Sequence, residues 1–227
     1  MNNFLYKKLL SANKNPRFSI IICTYNRAEY LNSCIDSIIN QTNKNWELII
    51  VDDGSDDSTY DVINSYLKAY TNIRYVKHKN IKLAFSRNVG LMLSLGDYIT
   101  FLDSDDTFKE NHIQSRIDFM NQNPEIDLIY GGVEINEEIL VPDYYNPGKL
   151  INVEQCVLGS TFFGKRHVFS ELEGFNNIDY GEDTEFLERA SKIFKILKIS
   201  DPKTYVYTRA ENSISMTNSV FKNDTKT

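Results

Sequence analysis

Three groups of carboxylates stand out by type and spacing. They are Asp52-Asp53-Gly54-Ser55-Asp56-Asp57-Ser58, Asp103-Ser104-Asp105-Asp106, and Glu182-Asp183. Like charges held together repel unless something offsets them. A hard divalent cation does so, and an all-oxygen donor set suits Mg²⁺ or Mn²⁺. Mg²⁺ commonly takes one or two carboxylates and completes its shell with phosphate oxygens and water. An Asp-x-Asp at a strand end is therefore suited to clamp a nucleotide diphosphate. The same residue types have a plainer use. Ser55 or Asp56 can cap the helix that follows, with Gly54 making the turn. For Ser55, Asp56, Asp57 and Ser58 capping is the expectation. Glu182-Asp183 also suits a helix start.

Missing patterns narrow the chemistry. No G-x-G-x-x-G follows the first apolar run, and no G-x-x-x-x-G-K-[ST] occurs, which disfavours a dinucleotide fold and excludes a P-loop. His78, His112 and His167 are scattered and make no zinc pattern. No G-x-S-x-G elbow appears. Cys23, Cys34 and Cys156 show no C-x-x-C spacing and read as reduced, intracellular thiols that pack as small hydrophobes.

The elements that must position these carboxylates follow from hydrophobic periodicity. Phe18 to Cys23 is a continuous apolar run and predicts a buried strand. Tyr30, Leu31, Cys34, Ile35, Ile38 and Ile39 recur at helical spacing. Trp46 to Val51 predicts a second strand, and Val62 to Tyr70 a second helix. Ile73 to Val76 follows as a strand, Ala84 to Leu95 as a helix, and Tyr98 to Leu102 as a strand. Such alternation implies an α/β fold with a mostly parallel sheet flanked by helices. Ligands of such sheets bind at the carboxyl ends of the strands, which is where the first two acidic groups fall.

Beyond Asp106 the pattern changes. Ile113, Ile117 and Met120 mark a helix closed by Asn123-Pro124. Leu128 to Ile135 predicts one strand, Pro142 to Gly148 a loop, and Thr161 to Gly164 a short strand. Asp183 to Phe194 predicts a helix and Thr204 to Thr208 a strand, while polar Asn212 to Thr227 is expected to fray. No linker is visible. The expectation is an extension over 1–17, one domain over 18–215 with halves 18–107 and 108–215, and a flexible tail over 216–227.

The 227 residues suffice for a core that hides ~70% of the unfolded surface. Apolar residues make up 41% and charged residues 25%, which argues against disorder and collagen. The longest apolar runs fall far short of the ~20 residues of a spanning helix. The net charge of −6 is a poor match for nucleic acid. Met1 to Arg17 holds Lys7, Lys8, Lys14 and Arg17 without an uninterrupted apolar stretch, so no secretory signal is expected. Its cations suit a peripheral contact with an acidic membrane, and the expected location is cytoplasmic.

Four blocks in order resemble the nucleotide-sugar-binding half of family 2 glycosyltransferases with the GT-A fold. They are the run from Ser19 to Arg27 (SIIICTYNR), Trp46 to Ser55 (WELIIVDDGS), Phe85 to Gly90 (FSRNVG) and Gly96 to Asp106 (GDYITFLDSDD). The likeness continues more loosely through Gly181-Glu182-Asp183 to Ser215. It implies a Rossmann-like central sheet, with an N-terminal half for a nucleotide-diphosphate sugar and a C-terminal half for an acceptor. It also implies roles. Thr24 and Tyr25 would line the base pocket, and Asp53 would accept from uracil N3–H. Arg87 would sit near the diphosphate or base. Asp103 would contact the ribose or the metal, and Asp105 would ligate Mn²⁺ or Mg²⁺. Arg27, Ser104 and Glu182 fall among substrate-binding positions, and Asp183 matches the catalytic base. The plainer alternatives are a helix-surface ion pair for Arg87 and a helix cap for Asp183.

One segment departs from the family. A Tyr-Arg-x-His-like stretch before Ser-x-Ser is common there, and this chain has Tyr207-Thr208-Arg209-Ala210-Glu211-Asn212-Ser213-Ile214-Ser215. Ala210 stands at the histidine position.

The implied reaction is inverting transfer from a UDP-sugar to a hydroxyl of a glycan or lipid-linked acceptor, of a bacterial surface-polysaccharide kind. GDP and dTDP donors stay open. The sugar would be read by loops after Asp103 and around Gly159 to Arg166. A rival reading takes Asp103-x-Asp105-x-Thr107 as the first motif of a haloacid dehalogenase-like phosphatase, although four strands precede it here. Another rival is a nucleotide-sugar-binding module without catalysis.

Overall fold

The computed structural model describes residues 17–146, 148–178 and 180–208. The expected extension, the fraying tail and the departing segment from Arg209 onward lie outside the described residues. The N-terminal half alternates as its sequence predicts: β1 (Phe18–Thr24), α1 (Ala28–Ile39), β2 (Trp46–Asp52), α2 (Thr59–Ala69), β3 (Ile73–Lys77), α3 (Leu83–Leu93) and β4 (Tyr98–Phe101). Then come β5 (Thr107–Phe108), α4 (His112–Gln122), β6 (Leu128–Gly131), β7 (Val133–Glu134), β8 (Leu140–Pro142) and β9 (Leu150–Asn152). The chain continues with β10 (Phe163–Lys165), α5 (Arg166–Glu171), α6 (Glu182–Ala190), β11 (Ile196–Ile199) and β12 (Tyr205–Val206).

Seven strands form the main sheet in the order β11-β6-β10-β4-β1-β2-β3. β1 to β4 are parallel to their neighbours, and β11 is parallel to β6. β10 alone runs antiparallel to both β4 and β6. Successive strands β1, β2 and β3 step one way, and α3 then carries the chain back to β4 on the other side of β1. That reversal makes the β1–β4 junction the switch point where such sheets bind ligands.

Alternation along β1 explains the two cores. Ile20 and Ile22 face one layer with Leu31, Ile35 and Ile63 from α1 and α2. Ile21 faces the other with Ala84 from α3, Phe169 from α5 and Phe186 from α6. Each of these side chains is fully or nearly fully buried, which stabilises the fold by roughly 1.5–3 kcal/mol per large residue.

The second half corrects several expectations. The strand predicted over 128–135 is two strands in two sheets. Gly131 and Gly132 both take positive φ between them, so β6 joins the main sheet and β7 joins β12 and β5. The loop predicted over 142–148 is the turn of the β8–β9 hairpin. The strand predicted over 161–164 starts two residues later, because Gly159–Thr161 forms a 3-10 turn. The helix predicted to Phe194 ends at Ala190. β11 (Ile-Leu-Lys-Ile), with Leu197 and Lys198 exposed and only Ile199 buried, carries no long apolar run and escapes a sequence reading.

Candidate active site

The carboxyl ends of β1, β2 and β4 bring the N-terminal candidates to one edge. Thr24 closes β1, and its hydroxyl is buried without a hydrogen-bond partner. Tyr25 follows and is 48% exposed. Asn26 turns the chain at φ 51. Its N–H donates to Ser55 Oγ at 2.9 Å, and its side-chain oxygen accepts from the Asp56 N–H at 2.9 Å. These bonds join the β1 and β2 loops. Arg27 stands at the start of α1 with its guanidinium over the Tyr30 ring.

Asp52 and Asp53 divide their labour. Asp52 is fully buried and accepts from the Ser55 N–H at 2.7 Å and the Tyr75 hydroxyl at 2.7 Å. It braces the turn. Asp53 accepts from the backbone N–H groups of Ile81 (2.7 Å) and Lys82 (3.0 Å), one on each oxygen. It therefore fixes the loop ahead of α3. Of the residues expected to cap α2, Ser58 holds the N-cap position without a side-chain bond, and Asp57 just ahead of it accepts from the Thr59 N–H at 3.0 Å. Ser55 is spent on Asn26 instead.

The β4 loop sorts its acids by exposure. The Asp103 side chain is 37% exposed. Ser104 is buried. The Asp105 carboxyl is pushed up to about 6 by burial and by the neighbouring Asp103 charge, against a smaller opposing pull from Arg27. Asp106 is buried and turned inward. It accepts from the Tyr205 hydroxyl, and from the Thr208 N–H at 2.6 Å. Burial, then Asp103 and Asp105, hold its carboxyl well above the usual range.

Asp103 and Asp105 are thus the two acids of this loop that remain partly exposed. Among the described residues no three His, Cys, Asp or Glu side chains converge as a ready-made ion site. Two neighbouring carboxylates, with the Asp103 charge raising Asp105, fit Mg²⁺ or Mn²⁺, which draws its other oxygens from a diphosphate and water.

The C-terminal half supplies the third acidic pair at the start of α6. Gly181, in the left-handed region, is the N-cap. Asp183 therefore does not cap the helix. Its Oδ2 accepts from the Gly159 N–H at 3.1 Å, and its Oδ1 from the Thr184 N–H at 2.7 Å. A β-carbon at residue 159 would lie 2.8 Å from Asp183 Cβ and 3.0 Å from Arg87 Nη1. Glycine lets the three groups meet. Burial, then the Glu182 charge, push the Asp183 carboxyl up to about 6, with Arg87 opposing.

Arg87 links the halves. It is 3% exposed, so the surface ion pair is excluded. Nη1 donates to Glu182 at 2.8 Å, and Nη2 lies 3.5 Å from Asp103. The guanidinium sits over Phe101 and Phe175, 5.8 and 5.3 Å from the ring centres. Burial works against its charge, but Glu182, Asp103 and Asp183 more than offset this and hold it cationic.

Sequence reasoning missed Tyr205 as a site residue, and it placed Gly159 in a loop expected to read the sugar rather than against Asp183. The fully buried Tyr205 hydroxyl donates to Asp106, accepts from the Asp103 N–H at 3.3 Å and bonds Ser160. It ties the β4 loop to the turn that holds Asp183. Only its place beside a strand-like run hinted at burial, and nothing in one sequence marks its partners.

Comparisons with known proteins show the family and the fold. The sequence model of glycosyl transferase family 2 matches residues 19–164. An uncharacterized glycosyltransferase of Rickettsia bellii is 32% identical over 188 residues, 80% of this chain and 27% of its own length. Glycosyltransferase GlyA of Streptococcus pneumoniae is 30% identical over 165 residues, 72% of this chain and 22% of its own length. The chain thus spans about a quarter of these relatives. In structure, S. aureus TarS 1–349 in complex with UDP-GlcNAc superposes with a TM-score of 0.72 at 21% identity, over 88% of this chain and 61% of that one. The mannosyltransferase PcManGT from Pyrobaculum calidifontis, in complex with GDP-Man and Mn²⁺, gives 0.71 at 17% identity, over 93% and 64%. The match runs through the blocks upstream of Asp103, which a phosphatase reading leaves unexplained. By sequence family and by fold, the chain belongs to glycosyl transferase family 2.

Proposed function

We propose that the protein transfers a sugar, with inversion, from a nucleotide-diphosphate sugar to a hydroxyl of a glycan or lipid-linked acceptor. The observation that carries this reading is Asp183. Its carboxylate is aimed by two backbone N–H groups, its affinity for protons is raised toward neutrality, and Arg87 bridges the adjacent Glu182 to Asp103. A general base works best when it titrates near the operating pH.

The acceptor hydroxyl attacks the anomeric carbon from the face opposite the diphosphate. Asp183 takes the hydroxyl proton as that bond forms, while the sugar–phosphate bond breaks. No covalent nucleophile is required. Asp103 and Asp105 would hold Mn²⁺ or Mg²⁺, which as a Lewis acid supplies charge neutralisation for the departing diphosphate. Arg87 keeps the acidic cluster compact and places a fixed positive charge beside it. Asp53 and Thr24 shape the base end of the donor site, and exposed Tyr25 offers a ring to the base.

UDP is the favoured donor nucleotide. The S. aureus relative in fold holds UDP-GlcNAc and the archaeal one GDP-Man with Mn²⁺, so both bases belong in the test. No helix among the described residues is long and apolar enough to cross a membrane.

Titration calorimetry with UDP, GDP and dTDP, each with Mn²⁺, Mg²⁺ or EDTA, tests the reading. Metal-dependent binding of one nucleotide is expected. Binding of none by the folded protein would remove the proposal.

A further inference from the structure

The β8–β9 hairpin is too small to hold itself together in water. Tyrosines fasten it to the start of α6. The Tyr180 hydroxyl donates to the Pro142 carbonyl at 2.7 Å. The Tyr144 ring lies against Gly181, where a β-carbon would come within 2.2 Å of Cδ2. The Tyr145 hydroxyl donates to Glu188 at 2.8 Å. Asp143 shapes the tip, accepting from the Tyr145 N–H at 2.9 Å and from Asn146 Nδ2 at 2.7 Å. Tyr145 is therefore tethered at its hydroxyl yet 66% exposed. Its ring meets that of Tyr144 edge to face, with centres 5.1 Å apart.

Asp183 lies two positions after Gly181, and Glu188 lies about two turns along the same helix from Gly181. The pair of rings thus extends outward from the base. We propose that Tyr144 and Tyr145 form a platform for a neutral pyranose glycan acceptor, whose C–H faces pack on the rings while its terminal hydroxyl reaches Asp183. This rests on the glycosyltransferase reading. Tyrosine rings suit the task because they offer large, amphipathic faces at little entropic cost. Charge selects the class. Asp143, Glu182, Asp183, Glu185 and Glu188 lie on the hairpin tip and the first turns of α6 and outnumber the nearby cations, Lys149 beside Asp143, Arg87 on Glu182 at 2.8 Å and Arg189 on Glu185 at 2.6 Å. A phosphate- or uronate-bearing acceptor would meet like charge there.

The test uses the full chain with UDP and Mn²⁺, and reads saturation-transfer NMR on p-nitrophenyl β-glucoside, β-galactoside and N-acetyl-β-glucosaminide. The anionic probes are p-nitrophenyl β-glucuronide and ribitol 5-phosphate. At least one neutral glycoside should receive saturation, and the anionic probes none. Tyr145→Ala should cut the neutral signal at least fivefold, while Tyr145→Phe keeps most of it. Equal signals in wild type and Tyr145→Ala, preference for an anionic probe, or no signal from any neutral glycoside would overturn the platform. UDP calorimetry on the same samples separates the two claims. Nucleotide binding without tyrosine-dependent glycoside binding sinks only the platform, whereas absence of nucleotide binding sinks the enzyme reading.

Discussion

The two halves of the domain build their parts of the site in opposite ways. In residues 18–107 the acids sit at the ends of long parallel strands, and local backbone N–H groups hold them: Ser55 for Asp52, Ile81 and Lys82 for Asp53. In residues 108–208 the strands are two to four residues long, and side-chain bonds spanning large sequence separations do the positioning. Tyr205 reaches Asp106 across 99 residues, and Arg87 reaches Glu182 across 95. The first half thus braces its β2 acids on its own backbone, and the second is pinned to it at a few polar points; on the proposed reading the first holds the donor and the second supplies the base. Changes in the first should weaken donor binding, and changes at the pins should weaken turnover.

Asp183→Asn gives the largest expected effect. Turnover should fall by about 10²–10⁴, the usual worth of a positioned base, with nucleotide affinity within a few-fold of wild type. Stability should move the other way. Burial and the Glu182 charge push the folded carboxyl up to about 6 from an ordinary 3.8, so the folded state binds the extra proton between those values. That group's contribution is most favourable at low pH and is lost as pH rises through about 4 to 6. At pH 7.5 the buried charge costs on the order of 2 kcal/mol, and the amide should raise Tm by roughly 4–8 °C. In wild type, log kcat should rise with pH up to about 6 and then level off, as a base that must be deprotonated requires. A variant with near-normal turnover would break the division between the halves.

Asp105→Asn comes next and tests the other side. It should lower Mn²⁺-dependent UDP affinity about tenfold or more in calorimetry and leave the pH limb assigned to Asp183 in place. An unchanged affinity would remove Asp105 from the ion site.

Tyr205→Phe probes a pin. The ring stays in the core, but the Asp106 carboxylate keeps only the Thr208 N–H. Losing a partner of a buried charged group costs about 1–3 kcal/mol, read as a lower Tm. Turnover should fall about tenfold through misplacement of the base relative to the β4 loop, while UDP affinity changes less than twofold. Equal losses in both would mean that the two halves are not separable.

The same contrast explains what could be read from sequence. β1, β2 and β4 are buried on both faces, so their apolar runs and terminal acids are visible in one line of residues. The Arg87 partners are not, because an arginine on a helical pattern looks alike whether it faces water or Glu182. β8, β9 and β11 are short and half exposed, and their pairing is fixed by contacts far along the chain. The break at Gly131-Gly132 is a backbone event that apolar periodicity passes over. Asp183 could be placed only by its block, since its aim depends on Gly159 coming close enough to touch it.

Lys82 carries the smallest effect and tests the platform half alone. It opens α3 at φ 72 and ψ 168, a region open almost solely to glycine and costing other residues about 1–3 kcal/mol. The surroundings enforce it: the Lys82 N–H is bound to Asp53 at 3.0 Å, and its carbonyl accepts from the Ser86 N–H and hydroxyl, both at 3.1 Å. Lys82→Gly removes the strain, while the freer unfolded chain gives back ~0.4–1 kcal/mol. The net gain should be about 1 kcal/mol, a rise in Tm of roughly 2–4 °C. Lys82→Ala keeps the β-carbon and should show no such gain. If both variants melt with wild type, the Asp53 clamp does not impose the strained turn, and the first half is less rigid than its hydrogen bonds imply.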